Sequence, residues 1–430
     1  MRHTHRRIAR LCRSLCCVVT WLLSGAALAQ SGVYESLELR AREKNDLIET
    51  SAQYQGMFER RSLLYEDEQL LALVRRIGHE LAPEPTDDYY NYEFFVLRDP
   101  SPNAFALPNG HIYVHTGMLA RMVDESQLAA LLAHEISHVA GHHTILSHRI
   151  TAKRLTIQIL VGGLASLMGQ LRYSRHLEQE ADDRAPLMLA DSRYDPHAMP
   201  ELLDILAEDF EGLNPRIATI WTTHPDPEDR AAASRAIVAN MPRRDRDPAF
   251  FDSIAYSLRA TTLRDYIQDD YPYTAIALAQ DFLERYPNDM NIRMLLGDAW
   301  RVLGPRAEFA PQEFTKRDTR RNLRRRVWRT REERAEIQLE TEAGQQAFAA
   351  NLEQARITYL DILDRDPTYA VAYRGLGQTF ESLRQPREAA RAYLEYLRSA
   401  PDAFDRPVIV TKLAEIRDLL QQQESSNEPD

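Results

Sequence analysis

The sequence predicts an α+β, mainly helical first domain with a small sheet, followed by an all-α second domain. Three observations predict this: strand patterns within 92–115, a long amphipathic helix directly after them, and a helix-pair repeat beyond residue 250. The 430 residues, 44% hydrophobic and 27% charged, are enough for one large or two ordinary domains. The net charge of -11 argues against a protein that mainly binds nucleic acid.

The first 29 residues have the pattern of a secretory signal peptide. Its positively charged first region contains five arginines, Leu15–Leu23 forms an apolar run, and Ala27-Leu28-Ala29 is a small-x-small cleavage site. An uncleaved membrane anchor is the alternative, but this run is shorter than the roughly 20 residues that span a bilayer. All three cysteines lie in this segment, so no disulfide is expected in the mature chain. We expect a periplasmic protein.

The segment up to about Leu81 has a polar, helical pattern, and the period then changes to that of strands. Tyr92–Leu97 is predicted to be a strand. Asn103–His115 is predicted to form two strands joined at Pro108-Asn109-Gly110, where Asn-Gly provides the positive φ angles of a tight hairpin turn.

Two helices that carry polar residues on their faces are predicted next. The first spans about Glu125–His143, and the second spans about Arg175–Leu189. Between them, Ile157–Leu171 is apolar but interrupted, which favours a buried or membrane-touching helix over a membrane span. A charged linker over Arg243–Pro248 is expected to end the first domain.

The second part of the chain contains a hidden repeat. One copy has the spacing of a tetratricopeptide repeat, a 34-residue helix pair, in Leu376, Gly377, Phe380, Ala389, Tyr393 and Pro401. An upstream copy is divided between Leu296, Gly297, Trp300 and Ala355, Tyr359, Pro367, with about 46 residues inserted between its halves. A weaker copy ends in Ala275, Phe282 and Pro287. An ordinary helical bundle is the alternative.

These patterns give a domain prediction: a signal peptide at 1–29, a first folded domain at 30–250, tetratricopeptide repeats at 251–421 with a basic insertion at about 304–345, and a disordered tail at 422–430. Within the insertion, residues 316–334 hold ten basic and three acidic side chains. Such a run is usually a solvated helix face, and an anion-binding surface is the alternative.

The domain at 30–250 is predicted to be a metalloprotease domain, and the first indication is an HExxH pattern on a predicted helix, His134-Glu135-Ile136-Ser137-His138. Residues four apart share a helix face, so both imidazoles can bind one ion, and Glu135 can reach a water at that ion. Imidazole suits Zn²⁺, and two histidines leave room for one more protein ligand.

The spacing leaves more than one candidate for this third ligand. Glu178 and Asp182 share one face of the second helix, whereas Glu180 points about 200 degrees away from Glu178. A further histidine would have to occupy position 144, which is Thr. The neighbouring histidines at 142, 143 and 148 are out of register and are interpreted as polar residues at the helix end.

Glu178 and Asp182 lie in a Glu-x-x-Ala-Asp sequence that resembles the signature of the HtpX-like and CAAX-prenyl-protease-like zinc metallopeptidases, which are gluzincins. The resemblance implies a zincin-like fold and a zinc ion bound by His134, His138 and Glu178. It implies that Asp182 orients a zinc-binding histidine and that Glu135 is the general base.

The resemblance extends to both sides of these helices. Asn103–Ala106 and Pro108–Val114 resemble the family's strand pair at the rim of the cleft, where a peptide can bind by strand addition. His224, Pro225 and Arg230 resemble the family's His-Pro-x-x-x-x-Arg element. We add the hypothesis that His224, once displaced from zinc, donates to the oxyanion, with Arg230 fixing its loop.

The combination of signal peptide, protease domain and repeats resembles the periplasmic BepA-type branch of these peptidases. It implies a zinc endopeptidase that cleaves misfolded or stalled envelope proteins and acts in outer-membrane protein assembly and quality control. It further implies contact with the outer-membrane assembly machinery through the repeats, and a switch in which His224 takes the fourth zinc position. A repeat-based chaperone or scaffold with a latent or structural zinc site is the alternative.

Overall fold

A computed structural model describes residues 45–46, 48–85, 90–143, 175–211, 227–269, 271–304 and 342–426. Four predicted features lie outside these residues: the signal peptide, the apolar segment 157–171, the loop with His224 and the basic run 316–334. In the part that is described, no helix has the length and apolar character that crossing a membrane requires.

The predicted small sheet is present, and it is a mixed sheet of three strands. Its strands are β1 (Glu93–Leu97), β2 (Ala104–Ala106) and β3 (His111–His115). They lie in the order β1-β3-β2, with β3 parallel to β1 and antiparallel to β2. One face carries Tyr113, stacked between the rings of Phe95 and Phe105 at 5.0 and 5.2 Å.

The turn between β2 and β3 differs from the predicted geometry. Of the Asn-Gly pair only Gly110 has a positive φ, 87°. The Gly110 amide donates to the carbonyl of Leu107 at 2.9 Å, which places Pro108 at the second position of a four-residue turn. Proline prefers that position, so the positive φ falls on Gly110, the last residue of the turn. A Cβ on Gly110 would lie 2.4 Å from the carbonyl oxygen of Asn91, which requires glycine here.

Helices surround this sheet and complete a mainly helical domain with a small mixed sheet, which fits the zincin-like prediction. The helices are α1 (48–60), α2 (Glu68–Leu81), α3 (Thr116–Arg121), α4 (Glu125–Ala140), α5 (Arg175–Ala190), α6 (Ala198–Glu211) and α7 (Pro227–Val238). The N-cap of α4 is Asp124, which accepts from the amides of Ser126 and Gln127. Every residue of α4 from Ser126 to Val139 is buried, so this helix lies in the middle of the core.

The described remainder of the chain is helical. Its helices are α8 (Pro248–Gln268), α9 (Pro272–Arg285), α10 (Met290–Leu303), α11 (Glu342–Arg365), α12 (Ala370–Ser382), α13 (Pro386–Ser399) and α14 (Arg406–Ser426). Helices adjacent in this order pack on one another. The predicted repeat residues Gly297 and Tyr359 meet between α10 and α11, where a Cβ on the glycine would lie 2.6 Å from the ring. The assignment to tetratricopeptide repeats stays a prediction.

Two expected boundaries change. The tail predicted to be disordered from 422 is helical up to Ser426, because Leu413 and Leu420 pack on the last hydrophobic cluster and the glutamines that follow are good helix formers. The domain boundary at residue 250 falls inside α8. This helix packs on α3 and α2 as well as on α9 and α10, so one continuous core joins both parts of the chain.

The segment Arg243–Pro248, predicted to be a linker, is bonded to the first domain. Arg246 donates to Asp124, the cap of α4, and to Glu201 on α6, each at 2.7 Å. Burial disfavours the charged guanidinium, but bonds to Glu201 and Asp124 outweigh burial and raise the pKa of Arg246. Its side chain is 18% exposed, whereas that of Arg243 is 66% exposed.

We expect Arg246→Ala to lower the free energy of unfolding by about 2–3 kcal/mol, because it leaves the buried Asp124 carboxylate without its cation. Arg243→Ala is the matched control and should cost about 1 kcal/mol or less, since its ion pairs are exposed and long. Urea denaturation of both variants measures the difference. Equal losses would show that the Arg246 contacts do not stabilise the junction.

Candidate metal centre

Helix α4 brings two buried imidazoles together. His134 and His138 lie one turn apart, and their Nε2 atoms are 3.1 Å from each other. Both side chains are buried, at 4% and 0% exposure. The core around α4 therefore holds both rings with one nitrogen of each facing the same point.

Glu178 on α5 completes a group of three donors. Its carboxylate oxygens lie 3.7 Å from Nε2 of His134 and 3.4 Å from Nε2 of His138. All three donor atoms lie within 4.8 Å of one another. Donors about 2.0–2.1 Å from a tetrahedral Zn²⁺ lie roughly 3.3 Å apart, so the group fits such an ion.

A second carboxylate lies behind His134. Oδ1 of Asp182 is 3.1 Å from Nδ1 of His134, the nitrogen away from the proposed ion. Arg230 on α7 binds Asp182 through two bonds of 2.6 and 2.8 Å and lies 3.1 Å from Glu178. Burial would raise the pKa of Asp182, but the bonds from Arg230 and His134 outweigh burial and lower the pKa.

The buried charges at this site are unbalanced. Glu135, Glu178 and Asp182 are each 1% exposed, and Arg230 is the cation that contacts two of them. Among the side chains that the structure describes here, these three carboxylates outnumber the one guanidinium. Buried charge is costly unless it is compensated, and a divalent cation between His134, His138 and Glu178 would compensate it.

The far side of His138 contains residues that the sequence analysis did not place there. His143, interpreted as a polar residue at the helix end, is 1% exposed, and its Nδ1 lies 3.0 Å from Nδ1 of His138. Burial lowers its pKa, against the raising effect of Glu180. Glu180, the competing ligand candidate, lies by His143 and Arg184, away from the three donors. One feature of the sequence could have indicated that His143 turns back towards the helix: the glycine that follows the HExxH pattern, Gly141.

Glu135 and a cleft lie on the open side of the donors. The cleft is bounded by His134, Glu135 and Arg230 on one side and by Asn103 and Ala104 of the predicted rim on the other. Apolar side chains form most of the remaining wall: Pro102, Met118, Leu131, Met199, Leu202, Leu203 and Leu206.

Arg230 is where the structure adds most to the sequence prediction. The sequence analysis made it fix the loop of His224, which lies outside the described residues. The structure shows its guanidinium against Asp182 and Glu178. Burial disfavours its charged form, but Glu178 and Asp182 outweigh burial and raise the pKa of Arg230. Arg230 therefore stays charged within the site.

Comparison with known proteins gives a consistent result. Residues 68–238, which contain all the side chains of this centre, match Peptidase family M48. The beta-barrel assembly-enhancing protease of Escherichia coli is 29% identical over 40% of this chain and 39% of its own length. A Vibrio cholerae protein given the same name is 31% identical over 44% of this chain and 43% of its own length. Mitochondrial metalloendopeptidase OMA1 of Schizosaccharomyces pombe is 32% identical over 32% of this chain and 44% of its own length. The chain thus spans less than half of each relative.

We expect Asp182→Asn to weaken Zn²⁺ binding by about 10- to 100-fold, because a neutral amide holds the Nδ1 proton of His134 less strongly. Asp183→Asn is the matched control, since Asp183 is the next residue, is exposed and is bonded to Gln179. Competition with a chelator of known affinity measures both. Equal Zn²⁺ affinities for the two variants would show that Asp182 does not support metal binding.

Proposed function

We propose that this chain, a metallopeptidase of family M48 through residues 68–238, is a zinc-dependent endopeptidase that cleaves misfolded or stalled envelope proteins in the periplasm. The observation that carries the proposal is the buried group of His134, His138 and Glu178, with Glu135 beside it at the cleft. This arrangement combines a site for a metal ion with a candidate general base at an apolar-walled pocket.

The mechanism is metal-assisted peptide hydrolysis. Zn²⁺ at the three donors would supply a Lewis acid that polarises the scissile carbonyl and acidifies water. Glu135 takes the proton of the attacking water and transfers it to the leaving amine. Asp182 keeps the proton of His134 on Nδ1, which leaves Nε2 as the donor atom. His224 would be a further metal ligand in the resting enzyme and, once released, would donate to the oxyanion, so it would act as a switch.

The cleft supports a polypeptide substrate. Its rim includes β2, an edge strand of the sheet, whose backbone can pair with an extended peptide. The apolar wall next to Glu135 favours a substrate with an apolar residue beside the scissile bond. Folded proteins bury such residues, whereas misfolded and stalled proteins expose them together with extended backbone.

Location and partners rest on other parts of the chain. The signal-peptide pattern at 1–29 supports export to the periplasm. Two relatives are named beta-barrel assembly-enhancing proteases, which supports a role in outer-membrane protein assembly. The helices of 251–421, proposed to be tetratricopeptide repeats, would bind the assembly machinery or its unfolded clients.

Glu135→Gln tests the reaction directly. We expect it to keep Zn²⁺ and to lose at least about 100-fold in the cleavage of casein, because the amide cannot accept the proton of water. Glu125→Gln, the same change at the other end of α4, should cleave like the wild type. Zinc content by mass spectrometry and peptide release by chromatography give the two readouts. Zinc without cleavage in the wild type and in His224→Ala would favour the chaperone alternative.

Leu206→Trp tests the apolar wall of the cleft. We expect it to lower kcat/KM about 10- to 100-fold for peptides with Leu or Phe beside the scissile bond, and less for peptides with Ala there, because the indole fills the space. Ile205→Trp is the control, since Ile205 is the neighbouring residue on α6 and does not line the cleft. The same loss for all peptides would contradict this use of the wall.

A further inference from the structure

We propose that His143 and Glu180 form a positioning relay that fixes the orientation and proton of His138, the second metal-binding histidine. The proposal rests on the metal centre of the proposed function and assigns two residues that the sequence analysis had set aside. It makes the support of the two metal histidines symmetrical: Asp182 and Arg230 hold His134, and His143 and Glu180 hold His138.

The contacts form a continuous chain that leads away from the metal donors. Nδ1 of His143 is 3.0 Å from Nδ1 of His138. Its other nitrogen, Nε2, is 3.4 Å from Oε2 of Glu180. The second oxygen of Glu180 is 2.6 Å from Nη2 of Arg184, one turn further along α5. The first contact is a hydrogen bond, and the next two are ion pairs between oppositely polarised groups.

One assignment of protons satisfies every step of this chain. His138 must offer the lone pair of Nε2 to the metal, so its proton is on Nδ1. That proton is donated to Nδ1 of His143, which must then be an acceptor. A neutral His143 with an accepting Nδ1 carries its proton on Nε2, the nitrogen that faces Glu180. The carboxylate of Glu180 therefore selects the tautomer of both imidazoles.

The backbone after α4 is shaped to place the His143 ring there. The helix ends at Ala140, and His142 adopts a φ of 53°, which turns the chain back towards α4. A Cβ on Gly141 would lie 2.4 Å from Nε2 of His143. Only glycine leaves room for the ring at this position, so the turn and the buried imidazole depend on each other.

The experiment measures metal binding by the full-length chain without reference to cleavage. Zn²⁺ affinity is determined by chelator competition, and the visible spectrum of the Co²⁺-substituted protein reports the geometry of the ligands. We expect His143→Leu to weaken Zn²⁺ binding about 10- to 100-fold and to shift the Co²⁺ bands. We expect His143→Gln to recover part of the affinity, because its amide oxygen can accept the His138 proton.

Matched controls separate the relay from general effects on folding. His142→Asn changes the adjacent histidine, whose ring contacts Tyr90, and should bind Zn²⁺ like the wild type. Glu180→Ala should lose several-fold in affinity, whereas Asp183→Ala on the same helix should lose none. If His143→Leu does not fold, the Glu180→Ala and Asp183→Ala pair decides the question.

The relay and the proposed function fail in different ways. The relay would be overturned if His143→Leu had wild-type Zn²⁺ affinity and an unchanged Co²⁺ spectrum. If His143→Leu does not fold, the same result in Glu180→Ala would overturn it. Either result would leave the proposal of zinc-dependent cleavage by the wild type unaffected. A wild-type protein that binds no Zn²⁺ would overturn the metal centre and the relay together.

Discussion

The compensation of buried negative charge governs the first domain. Glu135, Glu178 and Asp182 lie in a core where an uncompensated carboxylate costs several kcal/mol. Arg230 offsets part of this negative charge, and a bound dication would offset more of it. Binding of such an ion would therefore be coupled to folding, because the ion would lower the electrostatic cost of placing these groups together.

The packing around helix α4 fixes the positions of the groups at this site. Helix α4 is buried along its length, so the orientation of its two histidines is fixed by packing on all sides. Its N-cap, Asp124, is bonded to Arg246, directly before the first helix of the second part. Because α8 packs on α3 and α2, the core continues from the region of α4 into the helices beyond residue 250.

The parts of the site that could be predicted from the sequence are those that depend on helical periodicity. Spacings of four residues placed His134 with His138, and Glu178 with Asp182, on common helix faces. The partners of Arg230 and Arg246 were not predictable in this way, because they depend on how α4, α5, α6 and α7 pack across long separations in the chain. His143 was missed because a turn with a positive φ, and not a helical period, brings its ring back to α4.

The two histidines are supported through chains of different exposure. Asp182 and Arg230 are almost fully buried, so their bonds act in a medium of low polarity where a charge-assisted contact is strong. Glu180 and Arg184 are 33% and 46% exposed, so water screens their interaction. The support of His138 is consequently the weaker of the two.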